Sequence, residues 1–169
     1  SAVQIATVLG AQVIAVDINE EKLSLAKKEG AVVTINAAKD NPVKAIKDIT
    51  QGGADMSIDA LGSTTTARPA IKSLRKGRRH VQIGLTTKSE TETGDISLPT
   101  DIMTVKEIRF IGSLVCPPAS YTGMLTLIAN GRLDPTRLVT ETVGLEETSD
   151  VLSSMTAFAT MGFHIITKW

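Results

Sequence analysis

Cysteine is nearly missing from this 169-residue chain, and Cys116 stands alone. Neither an internal disulfide framework nor a cysteine-based zinc cluster can therefore form within it, which fits a reducing cytoplasm. There are only two histidines. His80 begins an apolar run and His164 borders another, neither with a second ligand at metal spacing, so both are expected to serve the structure. Cys116, beside Pro117-Pro118, has no neighbouring base that would mark an activated nucleophile. Net charge is also missing, since eighteen basic and eighteen acidic residues cancel. The one dense basic cluster, Lys72, Arg75, Lys76, Arg78 and Arg79, falls at an expected helix end, where cations oppose the negative pole of the dipole. No nucleic-acid partner is expected. No apolar run approaches the ~20 residues of a membrane span, and no basic segment precedes an apolar stretch at the start, so a soluble protein without membrane contact is expected.

What is present is an alternation. Apolar residues from Val3 to Leu9 form a helix ending at Gly10. Val13-Ile14-Ala15-Val16 then runs as a near-continuous apolar strand, the pattern of a parallel strand covered on both faces. Asn19 caps a helix with Glu20 and Glu21 in its first turn, Lys27 and Lys28 in its last, and Gly30 as stop. Ala31 to Ile35 is a strand, and Pro42 opens a helix with Val43, Ile46 and Ile49 on one face, ended by Gly52-Gly53. Met56 to Asp59 is a strand, Ser63 to Leu74 a helix stopped by Gly77, and His80 to Ile83 a strand ending at Gly84. Lys88 to Asp101 is polar and is expected as a surface loop. Ile108 to Ser113 is a strand, Tyr121 to Ala129 a helix, Glu146 to Phe158 a last helix, and His164 to Ile166 a final strand. Such a rhythm predicts an α/β fold with a doubly wound parallel sheet and right-handed crossovers, all in one domain over residues 1–169.

Three stretches and a tail carry a resemblance. Val16-Asp17-Ile18-Asn19-Glu20-Glu21-Lys22-Leu23, then Gly53-Ala54-Asp55 leading to Ile58-Asp59-Ala60-Leu61-Gly62-Ser63, then His80-Val81-Gln82-Ile83-Gly84-Leu85 resemble the coenzyme domain of medium-chain, zinc-dependent alcohol dehydrogenases. Gly131 to Pro135, Leu138-Val139-Thr140 and Val143 to Glu147 are similar to the closing stretch of that family. The resemblance implies a Rossmann-like sheet of order 3-2-1-4-5-6, with NAD as coenzyme and a zinc ion in the parent protein. It also implies an alcohol or aldehyde substrate and a homo-oligomer, a dimer or tetramer, in which strands pair across subunits, with Ile108 to Ser113 as the candidate edge.

The first strand of such a sheet and its Gly-x-Gly-x-x-Gly turn are not in the chain. Buried unpaired amides cost about 1–3 kcal/mol each, so something is expected to fill the gap. Preceding sequence of the same polypeptide is the favoured filler, ahead of a separate chain or a local rearrangement. The chain by itself is expected to be inactive, because the family's zinc ligands lie mainly in an N-terminal domain.

Asp17 ends its strand where a carboxylate can accept both ribose hydroxyls of NAD and repel the 2′-phosphate of NADP; the alternative is that it caps the next helix. Lys22 resembles the family's lysine that reaches the same ribose, and is equally read as a solvated helix-face lysine. Leu61, Gly62, Ile83, Gly84 and Leu85 lie just past strand ends, where ligands sit in open α/β sheets, and glycine there permits close backbone approach. By the resemblance, the backbone at Ile83, Leu85, Ser113 and Leu114 binds the nicotinamide side, although core packing accounts for the apolar members as well. The family's basic residue near the final strand is not evident, since Phe163-His164 follow Gly162. Two other readings stay open: an S-adenosylmethionine-dependent methyltransferase, whose last strand would run antiparallel, and a non-catalytic nucleotide-binding domain.

Overall fold

The computed structural model of the chain describes residues 1–86, 94–156 and 160–169. Short polar side chains start three of its helices. Asn19 Oδ1 accepts the N–H groups of Glu21 and Lys22 at 2.8 and 3.0 Å and opens α2 (Glu20–Lys28). Asn41 accepts from Lys44 N–H ahead of α3 (Pro42–Thr50), and Ser63 accepts from Thr65 and Thr66 ahead of α4 (Thr64–Lys72). Each oxygen satisfies donors that the first helical turn leaves without partners.

These helices alternate with β1 (Val13–Asp17), β2 (Ala31–Asn36), β3 (Ala54–Asp59) and β4 (Leu74–Gln82), after an opening helix α1 (Ala2–Val8). Then come α5 (Thr100–Lys106), β5 (Arg109–Gly112), α6 (Pro118–Ala129), β6 (Val139–Gly144), α7 (Thr148–Thr156) and β7 (Phe163–Lys168), with 3-10 turns at Pro135–Leu138 and Leu145–Glu147. The strands pair as β1-β2, as β3-β4-β5 and as β6-β7. The second and third of these sheets are parallel. β1 and β3 fall in different sheets, at the point where the order 3-2-1-4-5-6 calls for the strand this sequence does not contain.

The chain divides into two compact units. One comprises Ser1–Ala15, Asn19–Thr34 and Pro117–Trp169. Its buried apolar residues are Leu23, Ala31, Leu133, Leu138 and Val143. In α1 the buried residue is Gln4, and the apolar Ile5 and Leu9 are exposed, against the apolar face expected for this helix. The reason is a polar anchor. Gln4 Nε2 donates to the Glu29 carboxylate and to the carbonyl of Asp134, while Arg137 pairs with Glu29 at 3.3 Å and donates to the Lys28 carbonyl at the end of α2. The hydroxyl and the amide of Thr136 both donate to Asp134, which holds its carboxyl below the usual carboxylate range.

The second unit comprises Val16–Ile18 and Ile35–Cys116. Its core gathers Ile71, Leu74 and Ile108, with Ala54, Leu98 and Met103 packed against them. Three expectations are corrected here. Helix α4 stops at Lys72 with Ser73 as its C-cap, and Leu74, read as its end, opens β4, which pairs with β3 from there onward. Gly77 marks an irregularity inside the strand, where the register jumps from Ala54↔Leu74 to Met56↔Arg79. Of the basic cluster, Lys72 ends α4 and the other four residues lie along β4, where Arg75 and Arg78 pair with Asp55 and Lys76 with Glu107. Nor are the strands covered on both faces, since Val16, Met56 and Ile58 remain exposed. The stretch read as a loop over 88–101 lies partly outside the described residues, as does Phe158 at the expected end of α7, and its last two residues begin α5.

Candidate coenzyme site

Because β3, β4 and β5 are parallel and in register at Asp59↔Gln82↔Gly112, their carboxyl ends form one edge. The segments that follow are tied to it by backbone bonds. Ile83 and Gly84 N–H donate to the Asp59 carbonyl at 2.9 and 3.0 Å, and Ser113 N–H donates to the Gln82 carbonyl at 2.9 Å. The structure thus brings Leu61, Gly62, Ile83, Gly84, Leu85 and Ser113 to this edge, with Leu114 directly after it. Leu61, Ile83, Leu85 and Leu114 are between 41% and 74% exposed, an apolar rim at strand ends where open α/β sheets bind ligands.

The two glycines do something other than meet a ligand directly. Gly62 is buried, and a Cβ on it would lie 2.6 Å from the Leu85 carbonyl oxygen. A Cβ on Gly84 would lie 2.4 Å from Gly62 N. Their small size lets the two strand tips pack backbone to backbone, which fixes how the neighbouring leucines and isoleucine are presented.

Below the tips lies a set of polar side chains that the local sequence pattern did not reveal as site residues. Asp59, 4% exposed, accepts from the N–H groups of Leu61 and Gly62 at 2.9 and 3.2 Å, and from the Thr66 hydroxyl at 3.1 Å. Gln82 Nε2 donates to Asp59 Oδ2 and to the Gly84 carbonyl, each at 3.0 Å. His80, fully buried, lies between Gln82 Oε1 (3.1 Å) and the Ser57 hydroxyl (2.8 Å), its ring tilted against Phe110. An aspartate followed by Leu-Gly just past a strand is a turn signal, since a short carboxylate can accept backbone N–H groups two and three residues on. The partners 23 residues away carry no such local signal.

Asp17 is half-buried at the end of β1, and its carbonyl accepts the Ala37 N–H at 3.0 Å. The capping of α2 is performed by Asn19, so the capping alternative for Asp17 is already taken up by another side chain. Lys22 belongs to the first unit, where it borders a cleft of about 200 Å³ together with Leu25, Glu29 and Met161. Past β5, Val115 adopts φ 60°. Left-handed backbone is unfavourable for a β-branched residue, and strain of this kind gathers at functional segments. Val115→Gly is expected to stabilise the protein by up to about 1 kcal/mol, the relief being partly offset by glycine's entropy, and a denaturant titration checks it.

Among the described residues no three His, Cys, Asp or Glu side chains lie together. His164 Nδ1 lies 3.0 Å from Glu141 Oε2, near enough for an ion pair when protonated but not aligned for a hydrogen bond. No helix of the described residues is long and apolar enough to cross a membrane.

The model of the zinc-binding dehydrogenase family matches residues 1–130. The chain belongs to that family. Similar to this chain are the NAD-dependent alcohol dehydrogenases of Sulfurisphaera tokodaii, 36% identical over 98% of this chain and 46% of the relative, and of Saccharolobus solfataricus, 34% identical over the same shares. Among solved structures, the alcohol dehydrogenase of the hyperthermophilic archaeon Aeropyrum pernix superposes with a TM-score of 0.83 at 30% identity, covering 98% of this chain and 46% of that one. The chain spans about half the length of the curated relatives it matches. The fold is accordingly the Rossmann-like one expected, and the methyltransferase alternative fails on topology as well, because β6 and β7 run parallel.

Proposed function

We propose that this chain is the NAD-binding part of a zinc-dependent alcohol dehydrogenase, which moves hydride between an alcohol or aldehyde substrate and NAD. The observation that carries this reading is the braced, apolar edge at the ends of β3, β4 and β5. Asp17 would accept the two hydroxyls of the adenosine ribose, and Lys22 would contribute a cation to coenzyme binding. The Leu61-Gly62 and Ile83-Gly84-Leu85 segments and Ser113-Leu114 would flank the nicotinamide half. The Ile83 and Ser113 N–H groups are already donated to neighbouring strands. What the backbone of these two residues can offer is therefore its carbonyls, acceptors suited to the amino group of a carboxamide. When bound, NAD supplies the hydride acceptor, and this chain's task is to orient it and to shelter it from water.

The described residues do not fit a zinc site, and by the family resemblance the ligands of the ion would lie mainly in an N-terminal domain. β5 is an edge strand with Phe110 and Ile111 exposed, which supports subunit pairing along it into a homo-oligomer. We place the protein in the cytoplasm, in keeping with its single cysteine. The test is made on the full-length, zinc-loaded protein. NADH is expected to bind in the micromolar to sub-millimolar range and NADPH at least about tenfold more weakly, with alcohol-dependent reduction of NAD. Absence of NADH binding, or binding of S-adenosylmethionine in its place, would overturn the reading.

A further inference from the structure

Ser57 and His80 face each other across β3 and β4, and so do Asp59 and Gln82, two residues further along each strand. Residues two apart on a strand share a face, so the four side chains form two polar rungs on one side of the sheet. In each rung one member is buried, His80 or Asp59, and its partner half-buried; a buried polar group is costly to desolvate, and an apolar residue of similar size would pack there at least as well. What the polar rungs achieve is a connection to backbone. At one end they reach Leu61 N–H, Gly62 N–H and the Gly84 carbonyl, the groups that form the two tips.

The connection has a defined direction. Gln82 Nε2 faces two acceptors, a carboxylate oxygen and a carbonyl, so the amide orientation is set and Oε1 is turned to His80. Oε1 can only accept; His80 Nε2 must therefore carry the hydrogen, and in the neutral ring Nδ1 accepts the Ser57 hydroxyl. Flipping the Gln82 amide would set a donor against a donor at His80 and an acceptor against acceptors at Asp59 and Gly84.

We propose that Ser57, His80, Gln82 and Asp59 form a positioning relay that sets the spacing and orientation of the Leu61-Gly62 and Ile83-Gly84-Leu85 backbones, and through them the affinity for the nicotinamide half of the coenzyme. The inference rests on the reading of this edge as the NAD site. None of the four touches the coenzyme in this scheme; each acts through the tips. Ser57 is the informative member, because its hydroxyl bonds to His80 and to neither tip.

The test uses the full-length protein and two probes, NADH and AMP, the latter reporting the adenosine half alone. Gln82→Met is expected to weaken NADH about tenfold, leave AMP within about twofold, and raise KM for NAD more than it lowers kcat. Ser57→Ala should weaken NADH about threefold, with Ser57→Thr restoring it, and Ser57→Ala combined with Gln82→Met should be no weaker than Gln82→Met alone. Nitrogen-15 shifts of His80 should show hydrogen on Nε2 in the wild-type protein and a changed tautomer balance in Gln82→Met. Losses of NADH and AMP affinity that run in parallel with a falling Tm would reduce the rungs to a structural element and overturn the relay, as would an unchanged NADH affinity in Ser57→Ala. Failure of the wild-type protein to bind NADH while it still binds AMP would instead overturn the assignment of this edge.

Discussion

Gly84→Ala is expected to destabilise the protein by about 3 kcal/mol, at the upper end for overpacking, and to weaken NADH binding. The new Cβ would sit 2.4 Å from Gly62 N and from the Leu61 carbonyl carbon, and 2.7 Å from the Ala60 carbonyl carbon. All three are backbone atoms, so no side chain can swing away to make room. The tip after β3 would have to move, yet Asp59 holds it through Leu61 and Gly62 N–H. Moving the tip after β4 would pull Ile83 and Gly84 N–H from the Asp59 carbonyl. Either response breaks bonds to groups that remain buried, at a cost of about 1–3 kcal/mol for each one left without a partner. Gly112→Ala is the control: it lies in β5, nothing comes within 4 Å of its added Cβ, and its backbone needs no left-handed conformation. That substitution should be neutral or stabilising by up to about 1 kcal/mol, because alanine loses less chain entropy on folding. Denaturant midpoints of the two variants decide the matter, and similar mild effects would show that the tips are not packed as described.

The strand–helix alternation was legible because it rests on local signals. Asn19 was legible as a cap, Pro42 as a first helical position, and the run at Val13 as too branched for a helix, whereas the caps at Asn41 and Ser63 emerge from the structure. The errors came where a local signal has two physical meanings. Gly77 reads as a helix stop but relaxes an irregular strand, because Leu74 is pulled into the core and pairs with Ala54. Helix α5 has seven residues, no buried side chain and no side-chain cap, so neither a stripe nor a start signal announced it. β6 was recognised only as a motif, its Val-Thr-Glu-Thr-Val alternation being short and largely exposed.

At the site, the positions along the strand ends were legible from topology, since ligands gather where parallel strands end. The bracing beneath them was not. It depends on Ser57 meeting His80 and on Asp59 meeting Gln82, pairings 23 residues apart that only the register of β3 against β4 creates. A buried glutamine in α1 is the same kind of case: its partner Glu29 closes the following helix, and nothing near Gln4 in sequence points to it.

For coenzyme choice the expected result is that Asp17→Ser weakens NADH about 10- to 100-fold and narrows the preference over NADPH by a larger factor. A carboxylate that accepts two ribose hydroxyls makes charge-assisted bonds worth about 1.5–3 kcal/mol, and serine retains at most one neutral acceptor. The same substitution removes a negative charge from the place a 2′-phosphate would occupy, so NADPH should gain while NADH loses. The fold is expected to tolerate the change, because β1 is tied at that point through the Asp17 carbonyl and α2 is capped by Asn19. Titrations of both coenzymes against the full-length protein give the ratio directly, and an unchanged ratio would remove Asp17 from the site. Lys22→Ala separates the two contributions. A cation near the ribose attracts both coenzymes, and the 2′-phosphate more strongly, so its loss should weaken NADH a few-fold at most and sharpen discrimination against NADPH. Opposite shifts in the two variants would give each side chain its own part in coenzyme choice, whereas no effect from Lys22→Ala would return that lysine to the solvated face of α2.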